Sequence, residues 1–425
     1  MRMEQVFSNI VKVMHYDYAG CEDKKGWDQP KAFTSKVREV ENREDLVEVV
    51  RDYLLDFDDQ HLFFLDEKQS RRETKKDVGF RVRRYEDRLY VTSVYEANIL
   101  KIGTYFRSLD GERILDSRNK YERYLNEHHP EREDWTFILQ QCKTAEAVTP
   151  NGEVFQYNFT HYEQNHRPPT YAVQEVMNDI VLLTFTDFMN AESIAQLVEN
   201  QRKLLERSNN WIIDVRTNGG GSTSSFASLL PYMLPEKGIA VDSTFHEMSF
   251  NFTEASAKRQ LASIEQMLVQ EKNLETIDLL KRYEAMWQEH RGTGFAMSSL
   301  HAKPDLFKKG TATPKQIFVL TDVYCGSAGD AFVELAKLSP KVTVVGRPTK
   351  GLNDYSNVVR AEWDGFALYY PTSRLMRIDN GQGMSKVGIS PNHYIPWTPQ
   401  HLYEDVDLTY VFNKLTANKK NLVKQ

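Results

Sequence analysis

The run Tyr-Cys-Gly-Ser-Ala-Gly-Asp at residues 324–330 places a serine where a strand pattern gives way to a helix pattern. The apolar residues 317–320 are typical of a buried strand, and helical spacing begins just after Ser327. A hydroxyl group on such a turn is exposed at a sheet edge, and the N–H of Ala328 is free to bind a negatively charged oxygen. Ser327 is therefore a candidate nucleophile. Taken alone, the pattern also fits a serine that only caps the helix, with Cys325 as a rival nucleophile.

A second motif, Asp-Val-Arg-Thr-Asn-Gly-Gly-Gly at residues 214–221, ends another apolar strand in three consecutive glycines. Glycines let the backbone approach a ligand closely, and free N–H groups at a strand end bind negative charge. The functional interpretation is an oxyanion hole, formed by the N–H of Ala328 with that of Gly219 or Gly220. Taken alone, the motif favours a plain turn between a strand and a helix. A phosphate-binding loop is disfavoured because no Lys-Ser/Thr pair follows the glycines.

A histidine, His61, lies in the run Asp-Asp-Gln-His-Leu-Phe-Phe-Leu at residues 58–65. An imidazole titrates near neutral pH and is the side chain most often used as a general base. A histidine among apolar residues is also commonly a hydrogen-bonded packing residue. The residues around His61 leave both interpretations open.

Regions with different periodicities must position these residues. Residues 1 to about 70 have the apolar spacing of helices with one buried face. Alternating residues between 79 and 94 predict two strands, and Asp110-Gly111 predicts a tight hairpin turn. From residue 180 onward, strand and helix patterns alternate as in a mainly parallel α/β sheet. A charged helical insertion at about 245–310 interrupts this part of the chain.

Length and composition exclude several classes of protein. A chain of 425 residues predicts two or three domains, and 40% hydrophobic with 27% charged residues is typical of a soluble globular protein. The formal net charge of −6 gives no basic surface for a nucleic acid or an anionic membrane. Three widely spaced cysteines fit neither a disulfide framework nor a zinc site. No apolar run suits a signal peptide or a membrane span, so we expect a cytoplasmic protein.

Taken in order, the motifs resemble those of the C-terminal processing (tail-specific) peptidases and their tricorn-like relatives. The resemblance extends from about residue 50 to about residue 410, with the insertion as an interruption. The matching pieces are residues 58–65, a PDZ-like region, residues 214–221 and Gly-Ser-Ala-Gly-Asp, followed by residues 345–351 and residues 387–392. Each piece alone is weak, whereas six pieces in the right order make a chance match improbable.

The resemblance implies a multidomain α/β protein. Its parts would be a helical N-terminal region at residues 1–76, a PDZ-like peptide-binding module at 77–150, and a crotonase/ClpP-like serine peptidase domain at 160–415. The strand that begins with Gly79 and Phe80 would form the edge of a peptide groove, where backbone N–H groups capture a C-terminal carboxylate. An enzyme with such a module is expected to recognise unfolded or C-terminal segments of polypeptides.

The family divides over the identity of the general base. In the processing branch a lysine follows a turn that residues 346–351 resemble, and the aligned position here is Leu352. Lys350 is close to that position in sequence. The tricorn-like branch uses a histidine just before the PDZ-like module, where His61 lies. We therefore favour Ser327 with His61 and keep Lys350 as the alternative base.

One member of the expected catalytic set has no counterpart. The tricorn-like pattern expects a glutamate shortly before residue 387, where this chain has Gly-Met-Ser-Lys at 383–386. This departure favours, as an alternative, a catalytically inactive peptide-binding protein on the same fold. A crotonase-like acyl-CoA enzyme is a further alternative, although it would not need a serine at position 327. The favoured reaction is acyl transfer to Ser327 followed by hydrolysis of a polypeptide substrate, without a metal or organic cofactor. The resemblance leaves a homo-oligomer open.

Overall fold

A computed structural model describes residues 2–70, 76–95, 100–125, 127, 129–163, 168–239, 247–271, 274–297 and 310–422. The α-helices of these residues, in chain order, are α1 (Met3–Lys12), α2 (Pro30–Arg38), α3 (Arg43–Leu54), α4 (Glu67–Ser70), α5 (Ile114–Lys120), α6 (Glu122–Leu125), α7 (Thr136–Gln141), α8 (Ala191–Asn200), α9 (Arg202–Arg207), α10 (Leu230–Met233), α11 (Glu254–Gln270), α12 (Leu274–Glu289), α13 (Ala328–Lys337) and α14 (Val406–Leu422). Within these ranges, none of the helices is long and apolar enough to cross a membrane.

The strands of the same residues, in chain order, are β1 (Phe63–Asp66), β2 (Lys76–Asp77), β3 (Phe80–Tyr85), β4 (Arg88–Val94), β5 (Tyr105–Leu109), β6 (Glu112–Arg113), β7 (Thr144–Val148), β8 (Val154–Asn158), β9 (Tyr162–Glu163), β10 (Tyr171–Met177), β11 (Ile180–Phe185), β12 (Asn210–Asp214), β13 (Met248–Phe252), β14 (Gly294–Met297), β15 (Gln316–Thr321), β16 (Val342–Gly346), β17 (Tyr355–Trp363), β18 (Phe366–Leu375) and β19 (His393–Tyr394).

The chain divides into two compact units, each built from three segments of sequence. The first unit comprises Met1–Glu73, Ala240–Leu306 and Leu352–Ser385. The second comprises Thr74–Ile239, Phe307–Gly351 and Lys386–Gln425. The proposed domain boundaries at residues 76, 150 and 160 remain predictions.

The first unit is organised around strand β18. This strand pairs in antiparallel fashion with β1, β13 and β17, and β14 extends the sheet beyond β13. Apolar residues of α1, α2 and α3 pack with residues of β1, β17 and β18 in one buried cluster. The N-terminal region thus contains the expected helices, but it also contains a strand, β1, which begins two residues after His61. The helical pattern did not predict this strand, whose pairing with β18 is a contact across about three hundred residues of sequence.

The predicted insertion at about 245–310 contains more than helices. Its two long helices, α11 and α12, lie between β13 and β14, which pair with each other. Residues of both helices and both strands share a cluster that includes buried Phe252 and Trp287. The insertion therefore contributes two strands to the sheet of the first unit, while residues 298–309 lie outside the described part of the chain.

The second unit contains the predicted α/β sheet, in the strand order β10-β11-β12-β15-β16-β19. All neighbouring pairs from β11 to β19 are parallel, and β10 is antiparallel to β11. The mainly parallel sheet is thus confirmed. Residues of α8 and α13 belong to one buried cluster with this sheet and residues of α14 to another, which explains why its strands are apolar on both faces.

Parallel neighbours end at the same edge of a sheet, and this rule brings the two chemical motifs together. Strand β12 ends at Asp214 and is followed by the glycines, and β15 ends at Thr321 and is followed by the turn to Ser327. The N–H of Gly326 donates to the carbonyl oxygen of Asn218 at 3.0 Å, which links the two loops directly.

The second unit also contains an antiparallel sheet in the order β3-β4-β5-β7-β8. Strand β3 is at one end of this order. Strands β5 and β6 form the predicted hairpin, with Asp110 (φ 47°) and Gly111 (φ 82°) at its turn. Residues of α5 and α7 pack against this sheet in a cluster of their own.

Candidate active site

Ser327 has a backbone conformation that residues other than glycine rarely adopt. Its φ of 57° and ψ of −117° lie outside the right-handed helical, extended and left-handed helical regions. Its N–H donates to Oδ2 of Asp330 at 2.7 Å, and Oδ1 of the same buried carboxylate accepts the N–H of Gly351 at 2.8 Å. Asp330 therefore holds Ser327 in a strained turn at the start of α13. Such strain is concentrated at functional sites.

The glycine loop packs directly against this turn. Gly220 has φ of +99°, and a β-carbon added to it would lie 2.6 Å from Cβ of Ser327 and 2.9 Å from the carbonyl oxygen of Gly326. Gly221 has φ of +140°, and its β-carbon would lie 2.2 Å from the carbonyl oxygen of Phe188. Both positions therefore require glycine, for conformation and for space. At Gly219 an added β-carbon would meet nothing within 4 Å.

The three N–H groups predicted to bind the oxyanion differ in their present hydrogen bonds. The N–H of Ala328 has no hydrogen-bond acceptor within the described ranges of the chain. The N–H of Gly219 donates to the carbonyl oxygen of Thr186 at 3.2 Å, and that of Gly220 donates to Oδ1 of Asn218 at 3.0 Å. Ala328 thus offers a donor as the structure stands. A donor from the glycine loop would have to exchange its present acceptor for the substrate oxygen.

Asn218 is a site residue that the sequence did not single out. Its side chain is fully buried, and its Nδ2 donates to the carbonyl oxygen of Phe185 at 3.0 Å. Its Oδ1 accepts from Gly220, and its main-chain oxygen accepts from Gly326. The side chain of Asn218 therefore connects the end of β11 with the glycine loop, and its main chain connects the glycine loop with the turn before Ser327. The signal was an amide residue among glycines after a buried strand, a place where an unpaired polar group is costly.

His61 belongs to the first unit, and its ring orientation is fixed there. The ring Nδ1 lies 2.7 Å from the carbonyl oxygen of Tyr355. Since a carbonyl oxygen can only accept, Nδ1 carries the proton, and Nε2 is left as the basic nitrogen. The backbone N–H of His61 donates to Oδ1 of Asp59 at 2.9 Å. Both ends of the residue are therefore held, with its side chain half-buried.

A chain of hydrogen bonds connects Asp59 to a buried lysine, Lys24. Oδ2 of Asp59 accepts the hydroxyl of Tyr18 at 2.7 Å, and that hydroxyl accepts from Nζ of Lys24 at 3.0 Å. Lys24 is only 5% exposed, and its Nζ lies 4.2 Å from the centre of the Tyr355 ring. Burial lowers the pKa of Lys24 below its usual value, although neighbouring carboxylates such as that of Asp59 oppose the shift. This network was not predicted, since it joins residues far apart in sequence.

The turn where the family pattern expects a glutamate is held by another carboxylate. Buried Asp354 accepts the N–H of Met384 through Oδ1 and that of Ser385 through Oδ2, each at 2.8 Å. Asp354 directly precedes Tyr355, whose carbonyl oxygen orients His61. Asp354 therefore holds the turn at which the family pattern expects a glutamate, and Tyr355 orients His61.

The rival residues Lys350 and Cys325 lie beside the turn of Ser327. The N–H of Lys350 donates to the carbonyl oxygen of Cys325 at 2.6 Å, and Arg132 donates to the carbonyl oxygen of Lys350 at 2.6 Å. The ammonium group of Lys350 makes no hydrogen bond or ion pair to the residues that the structure describes. Burial raises the pKa of the Cys325 thiol well above its usual value, so this thiol is protonated at neutral pH.

The residues predicted to bind peptide lie before and within β3. The N–H of Gly79 donates to Oδ1 of Asp77 at 2.7 Å. The side chain of Phe80 is fully buried and packs at 5.7 Å, between ring centres, from Phe106. The Phe80 side chain is thus part of the core of the antiparallel sheet. No group of three or more potential ligands among the described side chains could hold a metal ion.

The overall fold is similar to that of solved structures of other proteins. The crystal structure of mature CPAF aligns with a TM-score of 0.66 and 13% identity, covering 96% of this chain and 95% of that chain. The structure of mature CPAF complexed with lactacystin aligns with a TM-score of 0.66 and 14% identity, covering 100% of this chain and 99% of that chain. The photosystem II D1 C-terminal processing protease aligns with a TM-score of 0.45 and 12% identity, covering 96% of this chain and 98% of that chain. At 13–14% identity, the likeness to the two CPAF structures shows the fold alone.

Sequence comparison gives the family. None of the curated proteins matches the chain. The model of peptidase family S41 matches residues 179–395, which is just over half of the chain and contains both the glycine loop and Ser327. The chain therefore belongs to peptidase family S41 and is a serine-type peptidase of the C-terminal processing and tricorn-like kind.

Proposed function

We propose that the chain is an endopeptidase that hydrolyses peptide bonds of unfolded polypeptides, with Ser327 as nucleophile and His61 as general base. The observation that carries this proposal is the strained conformation of Ser327 at the start of α13, against the glycine loop. A serine that only capped a helix would not need φ of 57°. A nucleophile needs it, because the sharp turn exposes Oγ beside the N–H of the following residue.

The reaction follows from the protonation state of His61. Its Nε2 is the basic nitrogen, because Nδ1 donates to Tyr355. Nε2 removes the proton of the Ser327 hydroxyl as Oγ attacks the substrate carbonyl carbon, and the imidazolium then protonates the leaving amine. Water attacks the acyl-enzyme by the reverse sequence of proton transfers.

The negative charge of the tetrahedral intermediate would be bound by the N–H of Ala328 and by one N–H of the glycine loop, from Gly219 or Gly220. Removing one such donor typically costs on the order of 2.7–4 kcal/mol of transition-state stabilisation. The exchange of the Gly220 N–H from Asn218 to the substrate oxygen replaces a neutral acceptor by a charged one, which favours the transition state.

We assign the orienting role of the missing glutamate to the carbonyl oxygen of Tyr355. A carbonyl fixes the tautomer and the ring plane as a carboxylate does. It carries no formal charge, so it stabilises the imidazolium less than a carboxylate would. The chain would therefore be a slower enzyme than a peptidase with a complete charged triad, although its mechanism would be the same.

The substrate would enter through the PDZ-like module, and the parallel sheet would form the crotonase/ClpP-like catalytic core. A cavity of about 680 Å³ in the second unit is lined by Arg81, Val82 and Arg83 of β3 and by Thr136 and Leu139 of α7. Strand β3 pairs with β4 on one side and ends the order of its sheet. An extended polypeptide could therefore add to β3 as a further strand, with its side chains in the cavity.

The test is cleavage of an unfolded protein, followed by mass spectrometry, with labelling by a fluorophosphonate. We compare wild type with Ser327→Ala, His61→Ala and Lys350→Ala. Cleavage and labelling by wild type and Lys350→Ala, with loss in the other two variants, is the expected result. Loss of cleavage in Lys350→Ala, with activity retained in His61→Ala, would show that Lys350 and not His61 is the general base. If wild type neither cleaves several substrates nor reacts with the label, the inactive peptide-binding protein becomes the better interpretation.

A further inference from the structure

The short loop between β2 and β3 begins at a carboxylate, that of the last residue of β2. Asp77 is 5% exposed, and its Oδ1 accepts the N–H of Gly79 at 2.7 Å. The guanidinium group of Arg81 donates to the same carboxylate through both terminal nitrogens, at 2.9 Å to Oδ1 and 2.7 Å to Oδ2. Three N–H groups thus bind one carboxylate at the N-terminal end of the edge strand.

These donors are the groups that a peptide's own C-terminal carboxylate would need. A backbone N–H beside an edge strand and a planar, bidentate guanidinium are the usual partners of a bound carboxylate. Burial alone would raise the pKa of Asp77, but the Arg81 guanidinium and the Gly79 N–H outweigh it and hold the pKa below its usual range. Asp77 is therefore ionised at neutral pH. Because it is part of the same chain, it occupies the donors at a high effective concentration.

We propose that Asp77 is the resident ligand of this loop, so that the groove binds internal extended segments of a polypeptide and not its C-terminus. The inference rests on the proposed peptide-binding role of β3 and narrows its substrate class. A chain end that entered the groove would place a second carboxylate beside Asp77, with Arg81 already paired. An internal segment places only peptide groups there, and its flanking chain continues past the loop.

The cavity beside β3 has a lining that extends from Arg81 and Thr92 to Asp214 and Glu404. An internal segment paired with β3 would derive its affinity from backbone hydrogen bonds and from side chains in this cavity. The loop at Asp77 would contribute no recognition of a chain terminus.

The binding experiment uses the full-length chain with Ser327→Ala, so that the peptides remain intact. Two fluorescent peptides have the same extended sequence, one ending in a free carboxylate and the other in a C-terminal amide. We expect equal dissociation constants, within a factor of two, for the chain that retains Asp77. In Asp77→Ala the carboxylate peptide should bind at least tenfold more tightly than the amide, because Arg81 and the Gly79 N–H become available. Asp77→Asn, which preserves the shape of the side chain, should give the same preference more weakly.

Two controls make the result specific. Adding Arg81→Ala to Asp77→Ala should abolish the preference, since the guanidinium is removed. Asp116→Ala breaks an exposed bidentate pair with Arg113 in the same unit and should leave the ratio of the two constants at one. A tenfold preference for the free carboxylate with Asp77 in place would overturn the inference. So would the absence of a gain in both Asp77 variants, or the failure of both peptides to bind any variant.

A cleavage experiment separates this inference from the proposed catalytic function. The enzyme with an intact Ser327 is given an unstructured polypeptide in linear form and in head-to-tail cyclised form. Equal initial rates of cleavage support recognition of internal segments, and a rate at least tenfold higher for the linear form overturns it. If neither form is cleaved and no serine is labelled, the proposed peptidase mechanism fails, while the ratio of the two peptide constants still decides the role of Asp77.

Discussion

Gly220 and Ser327 are in such close contact that the glycine has no room for a β-carbon. The added atom would lie 2.6 Å from Cβ of Ser327, and the φ of +99° at Gly220 is itself unfavourable for other residues. The atoms next nearest to the added β-carbon would be backbone atoms of Gly326 and Ala328, which no side-chain rotation can move away. The conformation of the nucleophile turn therefore depends on the glycine loop.

We expect Gly220→Ala to reduce kcat/KM by about a hundredfold or more, because a displacement of the nucleophile by one ångström has an effect of this size. The cost in folding stability should be at least about 1–3 kcal/mol, the strain of a sparsely populated conformation, because the steric overlap adds to it. Gly111→Ala, at the β5–β6 turn with φ of +82°, is the matched control. Its added β-carbon meets nothing within 4 Å, so its activity should stay within a factor of three of wild type. Equal activity of the two variants would contradict the prediction.

The sequence predicted the elements that carry the nucleophile, because their signals are local. Apolar runs and helical spacing located β12, β15 and α13, and the parallel pairing of the strands then explains why residues 214–221 meet Ser327. The strand β1 was missed because it exists through its pairing with β18, which no local pattern reports.

The contacts that complete the site were harder to predict. The partner of His61 is a main-chain carbonyl group, at Tyr355, and a carbonyl has no sequence signature. The burial of Lys24 depends on a neighbour more than three hundred residues away. Asn218 and Asp77 were visible as polar residues near glycines, but their roles follow only from the distances to their partners.

A second prediction concerns Asn218, which connects three segments. Replacement by alanine removes the acceptor of the Gly220 N–H and the donor to Phe185. We expect kcat to fall about tenfold with little change in KM, and stability to fall by about 1–3 kcal/mol, the cost of unpaired buried polar groups. Asn210→Ala is the control, because Asn210 lies at the other end of β12 and contacts Asp179. If both variants keep the wild-type kcat, Asn218 has no positioning role.

A third prediction concerns the thiols. Burial raises the pKa of Cys325 well above its usual value, that of Cys21 to about 11 and that of Cys142 to about 12. The thiolate is the reactive form, so iodoacetamide should label the native chain only slowly at pH 7.5 and the unfolded chain rapidly. Cys325→Ala should retain fluorophosphonate labelling at position 327. Rapid native labelling of Cys325, together with loss of activity, would make the thiol the nucleophile.

A fourth prediction follows from a buried ion-pair network in the second unit. Arg83, 3% exposed, donates to both oxygens of Asp322 at 3.0 and 3.1 Å, and Arg347 bridges Asp322 and Asp407 at 2.9 and 2.6 Å. Burial would raise the pKa of Asp322, but Arg83 and Arg347 outweigh it and hold the pKa below its usual range. The unfolded chain therefore binds more protons at Asp322 than the folded chain as the pH falls.

The stabilising contribution of this carboxylate is thus complete above its unfolded pKa of about 3.9 and is lost as the pH falls through the lower folded value. Arg83→Met should destabilise the chain at pH 7 by about 3 kcal/mol, because it leaves a buried charge with one partner fewer. The midpoint of acid unfolding should move to higher pH. Urea unfolding at pH 7 measures the first effect, and an acid titration followed by circular dichroism measures the second. Arg113→Met, which breaks an exposed pair, should change neither.

The last prediction separates catalysis from stability at Lys24. This ammonium is buried, and burial lowers its pKa, so the folded chain binds fewer protons than the unfolded chain between the folded pKa and the usual value of about 10.4. Stability contributed by Lys24 therefore rises with pH in that window. Lys24→Met removes the free-energy cost of burying this charge and should leave stability at pH 7 equal or higher.

Activity should respond in the opposite direction. Lys24 holds the Tyr18 hydroxyl, which holds Asp59, which in turn accepts the backbone N–H of His61. Without the ammonium this chain of contacts loosens, and we expect kcat to fall about tenfold while KM is retained, as for a misplaced general base. Lys36→Met is the control, since Lys36 forms an exposed pair with Asp52 in the same unit. A parallel loss of stability and activity in Lys24→Met would show that Lys24 supports the fold and does not position the histidine.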